Sequence, residues 1–384
     1  MIAVLDRFLR INLRVIILTL ALLVIFDAAL KGVILPHYLD PRGGQGASGT
    51  AQIAIPAIRR LPADETNTLA LWKKQLADYQ GYKVVFLGDS VVYGGGVPHE
   101  KNTIPSYLSR QLKLLLPAKE FQVFNFSLPG CTPADTFHIL NFIIDAKPDL
   151  IIYDGNIGWF GSSKEMEHPR LAGLSSRQTG TGLAAAPTRD KPAAKFDPEK
   201  LLTEKLTGSW ALYRNRVLLN YLWFGGPLRD KLRIATQPKA ANDAVGQLTD
   251  DKEIYKPWYQ KNFDVLKQTR GKLGSVILNQ SNPHWLAYNQ LVTKLESERI
   301  DSVIFMVPRN KTLYQKYGLL DEKLLEGVQS QLGGTAKDHR VRVFDYTFTV
   351  ADRDFVDTVH LTAEGNERIA EHLAWDMVNS GVIK

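Results

Sequence analysis

Ser90, Asp357 and His360 are the residues of this chain whose types and spacing suit nucleophilic chemistry. A serine hydroxyl attacks poorly until a base takes its proton, and a histidine base needs a carboxylate to orient it. Ser90 stands just past Val84–Leu87, an apolar run that reads as a buried strand and stops abruptly in Gly88-Asp89-Ser90. Small residues there let the backbone turn sharply and leave the hydroxyl at the carboxyl edge of a sheet, where open α/β sheets place ligands. Asp357 and His360 are three residues apart, so one short loop can aim both at one point. On its own Ser90 would serve equally well as a helix N-cap. The Asp/His pair at the far end of the chain is what favours chemistry. The set can carry acyl transfer: Ser90 attacks an ester carbonyl, His360 accepts its proton and passes it to the leaving alcohol, and Asp357 holds the imidazole tautomer. Asp89 is expected to cap and brace the turn.

Four blocks of the chain, taken in order, resemble those of the GDSL or SGNH hydrolase superfamily. Gly88-Asp89-Ser90 with Gly94 and Gly96 is similar to its nucleophile block, Asn125-Phe126-Ser127-Leu128-Pro129-Gly130 to the second, Asp154-Gly155-Asn156 to the third, and Asp357-x-x-His360 to the last. The resemblance runs from about Lys83 to the C-terminus. It departs from the family in Val91, where the family name has leucine, and in the third block, which reads Asp-Gly-Asn-Ile in place of Gly-x-Asn-Asp. The resemblance implies an oxyanion hole made by the N–H groups of Ser90 and Gly130 and the side-chain amide of Asn156. One such donor is typically worth about 3 kcal/mol of barrier. No cofactor or metal is implied.

These residues need a frame, and strand-like and helix-like stretches alternate around them. After Leu61–Tyr79, helical with Trp72 as an anchor, come the first strand, a helix over Ile104–Leu116, a strand over Phe121–Phe126, a helix over Phe137–Ala146 and a strand over Leu150–Tyr153. The pattern resumes with a helix at Trp285–Glu298, a strand at Ser302–Pro308, a helix at Leu319–Gln331, a strand at Val341–Asp345 and a closing helix at Gly365–Val378 with Trp375 inward. Such alternation predicts α/β architecture with a mainly parallel sheet. The family resemblance implies the same, a three-layer α/β/α sandwich. Between about 162 and 252 the alternation fails. Arg170–Lys195 is rich in Gly, Ser, Thr, Ala and Pro and reads as a loop. Leu206–Leu232 interleaves aromatic and basic residues, which fits a helix packed on the domain or a lid at a membrane interface.

The 384 residues allow one large domain with an appendage, and 45% hydrophobic with 23% charged residues is a globular composition. The single cysteine, Cys131, excludes an internal disulfide framework and any cysteine-based zinc site, and reads as a small buried filler. Seven histidines besides His360, among them His99, His138 and His284, form no metal-ligand pattern. A net charge of +7 suits work beside anionic polymers or head groups and equally a solvated surface, with no nucleic-acid motif beside it. At the N-terminus Arg7, Arg10 and Arg14 precede an apolar run, Val15–Leu30, broken by Thr19 and Asp27. That order predicts an uncleaved signal anchor spanning a plasma (inner) membrane once, with the N-terminus cytoplasmic and the rest extracytoplasmic or periplasmic. The competing reading is a cleaved signal peptide, but no small-x-small site follows the run.

The expected organisation is thus a cytoplasmic tip and transmembrane anchor at 1–35, a tether and leading helix at 36–80, and a hydrolase-like domain at 81–384 with its insertion. Anchored extracytoplasmic members of the superfamily are similar to proteins that add or remove acetyl or D-alanyl groups on envelope polymers, often beside a multi-span membrane acyltransferase. The resemblance therefore implies an acyltransferase or esterase acting on a cell-envelope or exported polysaccharide. A general carboxylesterase, lipase or thioesterase, and a non-catalytic accessory protein of an acylation complex, are the alternatives.

Overall fold

A computed structural model of the chain describes residues 2–30, 66–161, 171, 253–266 and 271–383. The expected tether, the Arg170–Lys195 loop apart from Leu171, the Leu206–Leu232 segment and nearly all of the 162–252 insertion lie outside them. By internal contacts the chain divides into two units, Met1–Ile55 with Leu183–Asn242 and Pro56–Gly182 with Asp243–Lys384.

In the first unit, Ile2–Ala29 forms one helix, α1, of 28 residues. Its side chains are described from Val15 onward, Ile16 apart. Val15, Ile17, Leu18, Leu20, Leu22, Val24 and Ile25 are all exposed. Among the described residues no helix is long and apolar enough to cross a membrane. The arginines and apolar residues of the first half, which the anchor expectation also uses, fall outside the described side chains.

The second unit is built on a five-stranded sheet in the order β2-β1-β3-β4-β5. Its strands are β1 (Tyr82–Leu87), β2 (Phe121–Asn125), β3 (Leu150–Gly155), β4 (Asp301–Met306) and β5 (Val341–Asp345), and every pairing is parallel. β3 is buried along its whole length and β1 from Val84 to Leu87, as the apolar runs of a two-faced parallel sheet require. Alternate residues take the two faces. Val84, Phe86, Leu150, Ile152, Val303 and Phe305 share one core with α4 (Ile104–Leu115) and α9 (Ala363–Asn379), which pack together. The other layer is formed by α5 (Pro133–Ile143) packed on α6 (Pro283–Ser297), and the leading helix α2 (Thr66–Asp78) buries Leu69, Trp72 and Leu76. Short helices α3 (Ser90–Tyr93) and α7 (Lys311–Lys316), together with α8 (Glu322–Gly333), complete the unit.

Local chemistry accounts for boundaries that differ from expectation. α5 begins at Pro133 because Thr132 and Asp135 form a reciprocal capping box. α8 begins at Glu322 and not at Leu319, because the Asp321 side chain caps it and Leu320 is held in a bridge to Leu273. Trp375, expected inward, is 63% exposed. The buried stripe of α9 is Ile369, Ala370, Leu373, Ala374 and Met377, and two residues beyond Leu373 a helix has turned about 200° to the opposite side.

Candidate active site

In the order β2-β1-β3, the chain leaves β1 toward one side of the sheet and returns at β3 on the other, so the switch point lies between β1 and β3. That is where crevices open in such sheets. Ser90 follows β1 and Asn156 follows β3, one on each side of this point. Gly88 makes the turn into Ser90 with φ +146°, and a Cβ there would overlap the Asp154 carboxyl. Only glycine permits that approach. Asp89 caps α3, its Oδ1 accepting from the Val91 N–H at 2.8 Å, and Ser90 opens the helix.

His360 reaches Ser90 from the other end of the chain. Its Nε2 lies 2.8 Å from the Ser90 Oγ, and its Nδ1 lies 2.7 Å from Asp357 Oδ2. The remaining oxygen, Asp357 Oδ1, accepts the backbone N–H groups of Val359 and His360, each at 2.8 Å. One carboxylate therefore shapes its own loop and orients the imidazole. Gly95 backs the ring, and a Cβ there would come within 2.9 Å of His360 Cδ2. The loop is pinned from outside as well. Trp258 Nε1 donates to the Asp352 carbonyl at 2.7 Å, and the Lys261 ammonium donates to the Val356 carbonyl at 2.8 Å.

The electrostatics follow from this geometry. Burial disfavours the Asp357 carboxylate, but His360 beside it and the hydrogen bonds it accepts hold its pKa well below the usual carboxylate range. Burial likewise disfavours the imidazolium of His360. Asp357 outweighs that, with a further contribution from Asp89 and opposition from Arg309, and the His360 pKa is raised.

Beneath the serine lies a buried polar network. Asp89 and Asp154 are 2% and 1% exposed. The Asp89 backbone N–H donates to both Asp154 oxygens, at 3.1 and 3.0 Å. Burial first, and then the adjacent Asp89, push the Asp154 pKa well above the ordinary value, as expected for two carboxyls sharing one dry site. Asp89 Oδ2 accepts from Asn156 Nδ2 at 2.5 Å and from the Trp159 indole N–H at 2.8 Å. The Asn156 Oδ1 accepts from the Gly158 N–H at 2.9 Å and from the Arg309 guanidinium.

The structure thus brings Ser90, His360 and Asp357 into one hydrogen-bonded relay and joins Asn156 to Asp89, the residue before the serine. The Gly130 amide follows β2 with φ +78°, and among the described residues no atom beyond its chain neighbours lies within 4 Å of where its Cβ would be. Among the described residues neither the Ser90 nor the Gly130 N–H donates to a protein acceptor, which leaves both available. Asp89 caps the turn as expected. Cys131 is buried, with its sulfur 3.6 Å from the Thr136 hydroxyl. Among the described residues no group of His, Cys, Asp and Glu is arranged to hold a metal ion.

Two members of the site had no place in the sequence reading. Trp159 lies three residues past Asn156, just beyond that block. Arg309 follows β4 at the same carboxyl edge of the sheet and is 1% exposed. A lone arginine after an apolar strand reads as a surface residue, so only a strand-end position could have hinted at it.

No family model matches this chain, and no curated protein matches it. Among solved structures it is similar to a lipase from a goat rumen metagenome, at 12% identity and a TM-score of 0.39, over 78% of this chain and 98% of that one. It is also similar to a protein described as an acylhydrolase of Bacteroides fragilis, at 12% identity and a TM-score of 0.36, over 83% of this chain and 99% of that one. A third likeness is to TesA, at 11% identity and a TM-score of 0.34, over 78% and 99% of the two chains. At these TM-scores none of the three bears on the reaction.

Proposed function

We propose that this chain is an SGNH-type serine acyl-transfer enzyme, an esterase or O-acyltransferase working through Ser90, His360 and Asp357. The observation that carries the reading is the continuous relay from Ser90 Oγ to His360 Nε2 and from His360 Nδ1 to Asp357, with lengths of 2.8 and 2.7 Å. Ser90 attacks an ester carbonyl as its proton moves to His360. The tetrahedral oxyanion takes hydrogen bonds from the free N–H groups of Ser90 and Gly130 and from the amide of Asn156. His360 then protonates the leaving alcohol, and Asp357 stabilises the imidazolium without taking the proton. The acyl-enzyme is released by water in an esterase or by an acceptor hydroxyl in a transferase.

The finer reading is an enzyme held at the plasma (inner) membrane by its N-terminal segment, with the catalytic unit extracytoplasmic or periplasmic. It acts there on acetyl-like esters of a cell-envelope or exported polysaccharide, in partnership with a multi-span acyltransferase. The Arg-then-apolar order of residues 1–30 and the exposed apolar side chains of α1 from Val15 to Ile25 support the membrane part. The test is intact-mass analysis of the protein exposed to an activated acetyl ester, with and without an oligosaccharide acceptor. A Ser90 acetyl adduct cleared only by the sugar identifies a transferase. Consumption of the ester by water without a lasting adduct identifies an esterase. Neither adduct nor turnover overturns the proposal in favour of an accessory protein.

A further inference from the structure

We propose that Arg309 is a positioning residue for the oxyanion-binding donor: it clamps the carboxamide of Asn156 in one orientation and polarises it toward the substrate. The proposal rests on the acyl-transfer reading above. Arg309 is 1% exposed, and burying a guanidinium costs several kcal/mol unless it is well paired. Yet among the described residues no carboxylate comes within 4.0 Å of it, its Nε has no partner, and the acceptor its side chain reaches is Asn156 Oδ1. A cation placed at such cost against one neutral amide is doing something to that amide.

The Asn156 carboxamide is held at both ends. Its oxygen faces two donors, Arg309 and the Gly158 N–H, and its nitrogen faces an acceptor, Asp89 Oδ2. A flipped amide would set NH₂ against a guanidinium and an N–H, and oxygen against a carboxylate. Every contact would turn repulsive, so a single orientation survives. An amide nitrogen carries two hydrogens, and Asp89 takes one of them. The other is kept for the substrate oxyanion. A hydrogen bond from a cation to the amide oxygen draws electron density from the nitrogen and makes that N–H a stronger donor, an effect magnified where water is excluded. Gly158 leaves room for the clamp, since a Cβ there would lie 3.1 Å from Asn156 Oδ1 and 3.4 Å from Arg309 Nη2.

The test measures kcat and KM for an activated acetyl ester in the full-length protein and in Arg309→Met, Arg309→Lys, Asn156→Ala and the Arg309→Met/Asn156→Ala pair. Arg309→Met should lower kcat by about 10–100-fold, the range for a group that orients a ligating side chain, and leave KM within about threefold. Asn156→Ala should lose about 10²–10³-fold. The double variant should be no worse than Asn156→Ala, because one acts through the other. Arg309→Lys keeps the charge without the fork and should recover part of the loss. Arg309→Met should also move the acidic limb of kcat/KM to higher pH. Asp357 and Asp89 favour the imidazolium of His360, and Arg309 opposes it together with burial, so removing the guanidinium raises the His360 pKa. Additive losses in the double variant, an unchanged kcat, or unfolding of both Arg309 variants would each overturn the clamp. The reading beneath it is checked separately. If wild type has no turnover, or Ser90→Ala turns over as fast as wild type, the acyl-transfer assignment itself fails and the clamp with it.

Discussion

The two edges of the sheet are made from the same five strands and carry charge in opposite ways. At the amino edge, Tyr82, Lys119, Asp301, His339, Arg340 and Arg342 line an open cleft of about 430 Å³. His339 there is exposed and Lys119, Arg340 and Arg342 are half-buried, with the Arg342 Nε shut from water and unpartnered among the described residues. The Lys119 ammonium lies 3.8 Å from the Tyr82 ring centroid, and Arg340 donates to the Arg299 carbonyl at 3.0 Å. Charges in an open cleft are cheaper to hold than fully buried ones, because water reaches most of what the protein leaves unpaired. At the carboxyl edge, Asp89, Asp154 and Arg309 are nearly water-free, and each is gripped by backbone or side-chain hydrogen bonds. Desolvation makes charges there expensive and strongly coupled. Polar residues at a sheet edge are therefore a poor guide to chemistry by themselves. The informative sign is that one edge buries whole charged residues in a hydrogen-bonded network, while the other leaves its charged residues half-buried or exposed around an open cleft.

The contrast can be broken most decisively at the nucleophile. Ser90→Ala or His360→Ala should each lower ester turnover by about 10⁴-fold or more, while the thermal midpoint moves by only a few degrees. Activity that persists in both would place the chemistry elsewhere. Gly88→Ala attacks the same edge through the backbone. It forces a side chain onto a φ of +146° and into the Asp154 carboxyl, and should cost about 2–5 kcal/mol in denaturant unfolding. A loss below about 0.5 kcal/mol would mean that the turn relaxes freely.

pH offers a gentler probe. The pKa of His360 is raised, so its stabilising contribution is complete below the unfolded value of about 6.5 and is lost as pH rises through the folded value. Asp357 is depressed, so its contribution is present above about 3.9 and is lost as pH falls through its lower folded value. A histidine base must be neutral, so kcat/KM should climb with an inflection above about 6.5, over the range in which the His360 contribution to stability declines. An inflection below that value would contradict the coupling between the two side chains. The smallest effect is expected at the amino edge. His339→Ala, at a side chain 78% exposed, should change stability by no more than about 0.5 kcal/mol and leave turnover untouched. A measurable drop in turnover would show that the two edges communicate.

Much of the frame was legible in the chain. Each expected strand of the second unit is present: the central strands β1, β3 and β4 show as apolar runs because they are buried on both faces, and the edge strands β2 and β5 show as shorter runs broken by Gln122 and Arg342. Helix starts were harder: Thr132 with Asp135, and Asp321, move the ends of α5 and α8 by several residues through side-chain caps that periodicity does not register. A large aromatic suggests burial, but Trp375 faces outward because the apolar stripe around Leu373 decides which side of α9 is buried.

At the site, residue types and local spacing determined the pieces. These are a serine at a Gly-Asp-Ser turn and an aspartate three residues before a histidine, with Gly130 and Asn156 added through the family resemblance. All of them are local, because turn geometry and i,i+3 reach depend on the residues beside them in the chain. Only the tertiary structure decided that Ser90 and His360 meet at 2.8 Å, across 270 positions of sequence, and that a buried Arg309 holds the Asn156 amide. Those contacts depend on the order in which parallel strands are laid side by side and on which strand ends the sheet brings to one edge. No local pattern carries that order, because it is settled by how the whole core packs.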